Sequence, residues 1–501
     1  MARSILGLFL LLLPVFGQTW SPTGKRIPPP NILTSSGEVT GFIDQTVAPN
    51  VGQYLGIPYA EDPVGPLRFA PPVPKSPVVD GFNATKFGPT CSQYNSSVPS
   101  FFSVGDPRYS PTGQTSEACL SLNIWIPSKA TGHLEGLLPV IIFFHGGGFT
   151  GGGSNAAYYN PVRWVARSQD HLVVTVNYRL NIFGFPNARN LNSPSSNLGF
   201  LDHRLAVEWI RDNIASFGGD FSRMTLFGQS AGAIAADAYN LAYPDDPIIS
   251  GLILNSGTAL LDVFSSDTAH SNFTFVAEKL GCGNATESAE LECMRDIPVE
   301  KIENFLKEYE DSGRKPALSF LPVQDDITLF RDPAARARQG KLSSKPAIIG
   351  STYNEGASLV GPYSIQGPTK DAMQGTNLAI LCSAVNTTAY RYANNLTTFS
   401  YLYDGNFSNI SPLPWLGAYH SSELPLIFGV LESPQGNSSV FEIDVAHRLQ
   451  DLYVAFAADP SSLPSLGWPE YSPSGSAIVL GRGNRISSLT SVTNIYNGCS
   501  Q

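Results

Sequence analysis

Residues 139–144 (PVIIFF) form a continuous apolar run, and five further segments have similar strand character: 172–176 (LVVTV), 224–227 (MTLF), 252–254 (LIL), 347–349 (AII) and 398–402 (TFSYL). A strand with one wet face alternates apolar and polar side chains; the run 139–144 does not, so it reads as a strand buried on both faces, and the other five are read alike. Between the second and third the period changes. Leu205, Ala206, Trp209, Ile210, Ile214 and Phe217 recur at helical spacing, and Gly218-Gly219 follows as a stop. Strand, helix and strand in repetition predict an α/β chain: a large, mostly parallel central sheet with helices on both faces. Such a sheet presents its functional groups at the carboxyl ends of its strands.

Composition narrows the partners. The chain has 501 residues, 42% hydrophobic and 14% charged, a globular composition with ample material for a core. Its net charge of −10 argues against nucleic acid. At the N-terminus, Arg3 precedes an apolar run over 5–16, and Val15 and Gly17 suit positions −3 and −1 of a cleavage site. We read 1–17 as a signal peptide, a mature chain from Gln18, and 18–501 as a single domain of a secreted protein. The run is shorter than the roughly 20 residues a bilayer span needs, and no later run is apolar and long enough, so no integral membrane span is expected. Nine N-x-S/T sequons fit export: Asn83, Asn95, Asn272, Asn284, Asn386, Asn395, Asn406, Asn409 and Asn437, read as partly used surface sites. Six cysteines in an exported chain imply disulfides, though spacing alone does not choose the pairs. With no C-x-x-C and no H-E-x-x-H, neither a metal nor any other cofactor is expected.

Candidate chemistry lies at two glycine-rich turns. Gly228-Gln229-Ser230-Ala231-Gly232 fits G-x-S-x-G, with a strand before it and an alanine-rich helix after it. That context is the one a nucleophile elbow requires: the turn is so tight that only glycine fits two residues either side of the serine. The helix N-terminus beneath favours negative charge. Upstream, His145-Gly146-Gly147-Gly148 follows a buried strand. Ester hydrolysis passes through an oxyanion that needs amide donors already aimed at it, and H-G-G-G is a known form of such a loop. Gly147 and Gly148 are the expected donors, with Ala231 the third. His145 is expected to pack and position the loop, and Gly151-Gly152-Gly153 to be mostly a flexible turn.

The elbow order of serine, acid, histidine restricts the remaining partners. Only His270, His420 and His447 follow Ser230. His447 falls in a helical stretch over 441–456 and His270 beside the sequon at Asn272, which leaves His420 as the base. The acid must lie between Ser230 and His420 at a strand end. Glu355, after the run 347–349, fits best; Asp325 and Asp326 are the rivals.

Taken together, the motifs resemble the type-B carboxylesterase and lipase family of the α/β-hydrolase fold, which also contains the cholinesterases. The resemblance runs over about 37–499 and includes Tyr54-Leu-Gly-Ile-Pro-Tyr-Ala60, Ser116-Glu-Ala-Cys119, Asn177-Tyr-Arg179 and Phe217-Gly-Gly-Asp220. It implies a serine carboxylic-ester hydrolase of fungal type, with Ser230, Glu355 and His420 as its triad and a small-molecule ester as substrate. It implies three bridges, Cys91–Cys119, Cys282–Cys293 and Cys382–Cys499, an Arg68–Glu117 ion pair, and Ser256 and Glu423 buried behind the histidine. The departures carry information. The family's usual Glu before the serine is Gln229, its usual Asp before the second gorge-loop cysteine is Ala118, and residues 92–118 contain no tryptophan to hold a quaternary ammonium. Neutral, fairly hydrophobic esters are therefore expected, with lipase, sterol-ester or feruloyl-ester specialisations all open. Loop 92–118, which carries Phe101, Phe102 and Tyr109, reads either as a lid that meets a lipid interface, as in related lipases, or as a static gorge wall. The competing class is a non-catalytic binding protein on the same fold; such relatives typically lose a triad residue, and here all three are present.

Overall fold

A computed structural model describes residues 26–27, 29–128, 136–191, 196–283, 286–432, 435–495 and 498–499. The expected signal peptide, the expected start at Gln18 and the sequon at Asn284 lie outside the described residues.

Twelve strands of the described residues form one sheet: β1 Arg26–Ile27, β2 Phe42–Asp44, β3 Val51–Pro58, β4 Ser121–Pro127, β5 Leu138–Phe144, β6 Leu172–Val176, β7 Gly219–Gln229, β8 Gly251–Asn255, β9 Ala347–Thr352, β10 Thr398–Tyr403, β11 Ser476–Leu480 and β12 Ser487–Ser491. Their spatial order is β1-β2-β3-β4-β6-β5-β7-β8-β9-β10-β11-β12. From β6 to β11 every pairing is parallel; the four pairings from β1 to β6 and the last, β11 to β12, are antiparallel. The six predicted strand segments lie in β5 to β10. Leu252 and Leu254 of β8 join one core cluster while Ile253 between them joins the other, and Ile141 and Phe143 are likewise split from Val140, Ile142 and Phe144. Each strand therefore feeds a core on both faces, and even the small polar residues Thr398 and Ser400 of β10 are buried.

On one face lie helices α1 Leu198–Asn213 and α2 Ala231–Ala242; on the other, α7 Val440–Ala458 supplies Val445, Leu449, Leu452 and Phe456. The predicted stop of α1 is real: a last 3-10 turn, Ile214–Phe217, ends at Gly218 with φ 84°. A third cluster joins α3 Ser271–Lys279, α4 Glu287–Asp296 and α5 Val299–Asp311 to Phe69 and Phe183. The long helix α6, Lys370–Ala393, runs between β9 and β10.

Cys91 pairs with Cys119, Cys282 with Cys293, and Cys382 with Cys499. The surface reading of the sequons fails at two positions. Asn272 is buried in α3 with its amide donating to Ser319 O (3.0 Å), and Asn409 is buried with its amide on Glu442 Oε1 (3.0 Å). A sequon is a three-residue pattern and carries no information about which way its asparagine points. Asn83, Asn95, Asn386, Asn395, Asn406 and Asn437 are exposed.

Candidate active site

Strand β7 runs directly into Ser230, which takes φ 56° and ψ −125° and caps α2. A positive φ at a non-glycine residue is strained, and the surroundings hold it there. The Ser230 amide donates to Asn255 O at the end of β8 (2.8 Å), and Ser230 O accepts from the amides of Ala233 and Ile234. The flanking glycines are obligatory. A Cβ on Gly228 would sit 2.2 Å from Gly232 O, and one on Gly232 would sit 2.0 Å from Phe144 O. The nucleophile candidate is thus pinned where β5, β7 and β8 meet the first turn of α2.

Glu355 and His420 come together through backbone contacts between their two loops. The Asn354 amide donates to Ala418 O (2.9 Å), and the Asn354 side chain donates to both Trp415 O and Leu416 O (2.9 Å each). This stitching places the fully buried Glu355 against His420. Glu355 Oε1 accepts from the Thr352 amide (2.7 Å), and Oε2 accepts from His420 Nδ1 (2.5 Å). With its Nδ1–H donating to the carboxylate, the imidazole presents its Nε2 lone pair to the side-chain amide of Gln229, 3.1 Å away. His420 therefore reaches the residue directly before Ser230.

The other candidates are occupied elsewhere. Asp325 accepts from the amides of Ile327, Thr328 and Leu329, and Asp326 pairs with Arg331. His270 heads α3, 3.3 Å from Asn187 O, and His447 lies on α7 beside a surface cavity with Arg163 and Arg167.

Behind the histidine, Glu423 is fully buried, and burial, reinforced by the charge of Glu355, pushes its carboxyl up to about 8. It is a neutral acid at pH 7. Asn255 Nδ2 lies 3.5 Å from Glu423 Oε1, while Glu423 Oε2 and the nearby Ser256 Oγ have no partner among the described residues.

The glycine loop is shaped by its neighbours. The His145 ring stacks on Tyr178 (4.5 Å between centroids), whose hydroxyl donates to His145 O (2.8 Å). Burial holds His145 down to about 4, so it is neutral. Gly147 has φ 110°, and a Cβ there would meet Gly151 O at 2.1 Å. Among the described residues the amides of Gly147, Gly148 and Ala231 have no acceptor. Such amides at a helix start and a glycine turn are suited to an anionic oxygen. The turn 151–153 differs from expectation: the Gly152 amide donates to Gln93 Oε1 (2.9 Å) and Gly152 O accepts from Gln93 Nε2 (2.8 Å), so it is tied on both sides. Arg68 and Glu117 form a bidentate buried pair at 2.6 Å beside Cys91–Cys119.

Three contributors were not legible in the sequence: Asn354, the contact of Gln229 with His420, and Asn255. Each acts across 20 or more residues; only the adjacency of Asn354 to Glu355 and of Gln229 to Ser230 could have flagged them.

Comparison with known proteins gives the same picture. Residues 28–380 match the Carboxylesterase family. The chain is 42% identical to a chlorogenic acid esterase of Aspergillus niger over 86% of this chain and 83% of that one. It is 40% identical to secreted lipase 5 of Gibberella zeae over 99% and 98%. It is 33% identical to an acetylcholinesterase of Electrophorus electricus over 69% and 54%. A parallel sheet carrying a strained serine turn, a buried carboxylate–imidazole pair and a glycine loop, in a chain so matched, is a carboxylic-ester hydrolase, and the chain belongs to the Carboxylesterase family.

Proposed function

We propose that this protein is a secreted esterase that cleaves neutral, fairly hydrophobic esters through an acyl-enzyme on Ser230. The observation that carries the reading is the His420 imidazole, held through Nδ1 by buried Glu355 and turned through Nε2 toward the serine turn. Serine is a weak nucleophile until a base takes its proton. His420 Nε2 accepts that proton as Ser230 Oγ bonds to the ester carbon. The carbonyl oxygen becomes an oxyanion held by the amides of Gly147, Gly148 and Ala231. Glu355 stabilises the imidazolium, which then protonates the departing alkoxide oxygen and leaves the acyl group on Ser230. Water repeats the sequence: His420 takes its proton, and the acid and free Ser230 are released.

Three features support a neutral substrate: Gln229 in place of an acid beside the serine, Ala118 in place of another, and the absence of tryptophan from 92–118. The named activities of the fungal relatives, a chlorogenic acid esterase and a secreted lipase, bracket the choice between aromatic-acid and lipid esters. Secretion after removal of 1–17, and 18–501 as one domain, belong to the same reading; the three disulfides support an oxidising compartment.

A fluorophosphonate probe followed by peptide mapping tests the nucleophile. One adduct, on Ser230, is expected, and Ser230→Ala should lower kcat for p-nitrophenyl esters by more than about 10⁴-fold. Folded protein that takes no label is a binding protein, not an esterase. A panel of p-nitrophenyl esters of rising acyl length, with methyl ferulate, ranks the substrates.

A further inference from the structure

Besides its disulfide and the bonds of Gln93 to Gly152, loop 92–118 is tied to the histidine segment. Tyr109, buried on a short 3-10 turn, donates its hydroxyl to Ser421 O (3.0 Å) and lies 3.1 Å from the Tyr419 hydroxyl. These are the residues on either side of His420. Ser421 carries φ 76°, a strained value for a residue with a side chain, and its carbonyl is the one Tyr109 holds. The contact is reinforced by packing: the Phe101 ring lies 4.7 Å from Tyr419, and Tyr158 lies 4.5 Å from Tyr109. The segment is also tied to the acid side of the site, since the Tyr363 amide donates to Pro99 O (2.7 Å).

We propose that Tyr109 is a positioning residue for His420, so that loop 92–118 in this closed arrangement is part of the working site rather than a cover that must leave before catalysis. The inference rests on His420 being the base. Tyr109 touches neither the reacting atoms nor Ser230; it fixes the two residues between which the imidazole hangs. A base displaced by a fraction of an ångström loses rate while substrate still binds.

Tyr109→Phe keeps the ring and its packing and removes only the hydroxyl. It should lower kcat for a p-nitrophenyl ester about tenfold, with KM within about twofold, and slow fluorophosphonate labelling of Ser230 in the same proportion. Tyr94→Phe is the control: it removes a hydroxyl from the same loop, one that donates to Glu310 Oε2 (2.7 Å) on α5, and should leave kcat within about twofold. Should Tyr109→Phe fail to fold, Tyr419→Phe removes the hydroxyl that meets Tyr109, together with its bond to Ile410 O (3.2 Å), and should lower kcat in the same direction. A folded Tyr109→Phe with unaltered kcat, or one with raised kcat on a lipid emulsion as a lid would show, overturns the proposal. Wild-type protein that does not label on Ser230 overturns the esterase reading beneath it, which separates the two failures.

Discussion

The serine turn and the histidine loop are two halves of one site, built in opposite ways. Around Ser230 the geometry is backbone geometry: a strand, a turn at φ 56°, a helix, and glycines at Gly228 and Gly232 where any Cβ would collide with a carbonyl. Around His420 the geometry is made by side chains from distant parts of the chain: Glu355 on Nδ1, Gln229 at Nε2, Asn354 on the loop carbonyls, and Tyr109 on Ser421 O. The first half leaves a local signature and tolerates almost no change. The second leaves almost none and should yield in steps.

The sharpest break is Gly232→Ala. Its Cβ would lie 2.0 Å from Phe144 O, so β5 and the start of α2 cannot both keep their places. We expect loss of essentially all esterase activity, more than about 10³-fold per folded molecule, or failure to accumulate folded protein, read by activity and circular dichroism together. On the other half, Asn354→Ala removes two hydrogen bonds to Trp415 O and Leu416 O yet leaves Glu355 and His420 intact. It should cut kcat by about 10²-fold with the protein folded, because the acid loop and the histidine loop lose the side-chain part of their stitching and keep only the Asn354 amide on Ala418 O. Equal damage from the two variants would remove the contrast.

A gentler probe is Glu423→Gln, read by stability against pH. Buried Glu423 holds its proton up to about 8, against an ordinary value of 4.5, so the folded state binds more protons than the unfolded state between those limits. Its contribution is fully present below about pH 4.5 and is lost as the pH rises through about 8, with a slope of up to about 1.4 kcal/mol per pH unit. His145 and His171 act oppositely: held down to about 4 and about 3 by burial, they make stability fall as pH drops below their ordinary 6.5. Urea unfolding of Glu423→Gln should therefore show a flatter line from pH 5 to 8 with the acid-side loss retained. An unchanged neutral-range slope would mean that Glu423 does not carry it.

The same division explains what could be read from the chain alone. The central strands were legible because burial on both faces makes them rich in apolar residues, and the serine turn because its glycines are forced. The antiparallel flank was not: β4 is buried along its whole length yet opens with Ser121 and Asn123, the latter bonded to Ser154 and Thr175, and these polar positions hid the apolar stretch 124–127 that follows. The sequons at Asn272 and Asn409 misled because burial is set by packing, not by a triplet. Tyr109 stood out only as one aromatic in a loop rich in them. Its partners lie 310 and 312 residues away, a separation no local pattern encodes.

One bridge has a consequence for how the molecule would wear. Cys382, on α6, is joined to Cys499 at a sequence separation of 117, and His420 lies in the span between them. A protease cutting that span before His420, for instance near exposed Asn406, would produce two polypeptides still covalently joined, with the histidine-bearing piece unable to drift away. Nicked molecules should migrate as one species until a reductant is added, with their parts kept at full local concentration.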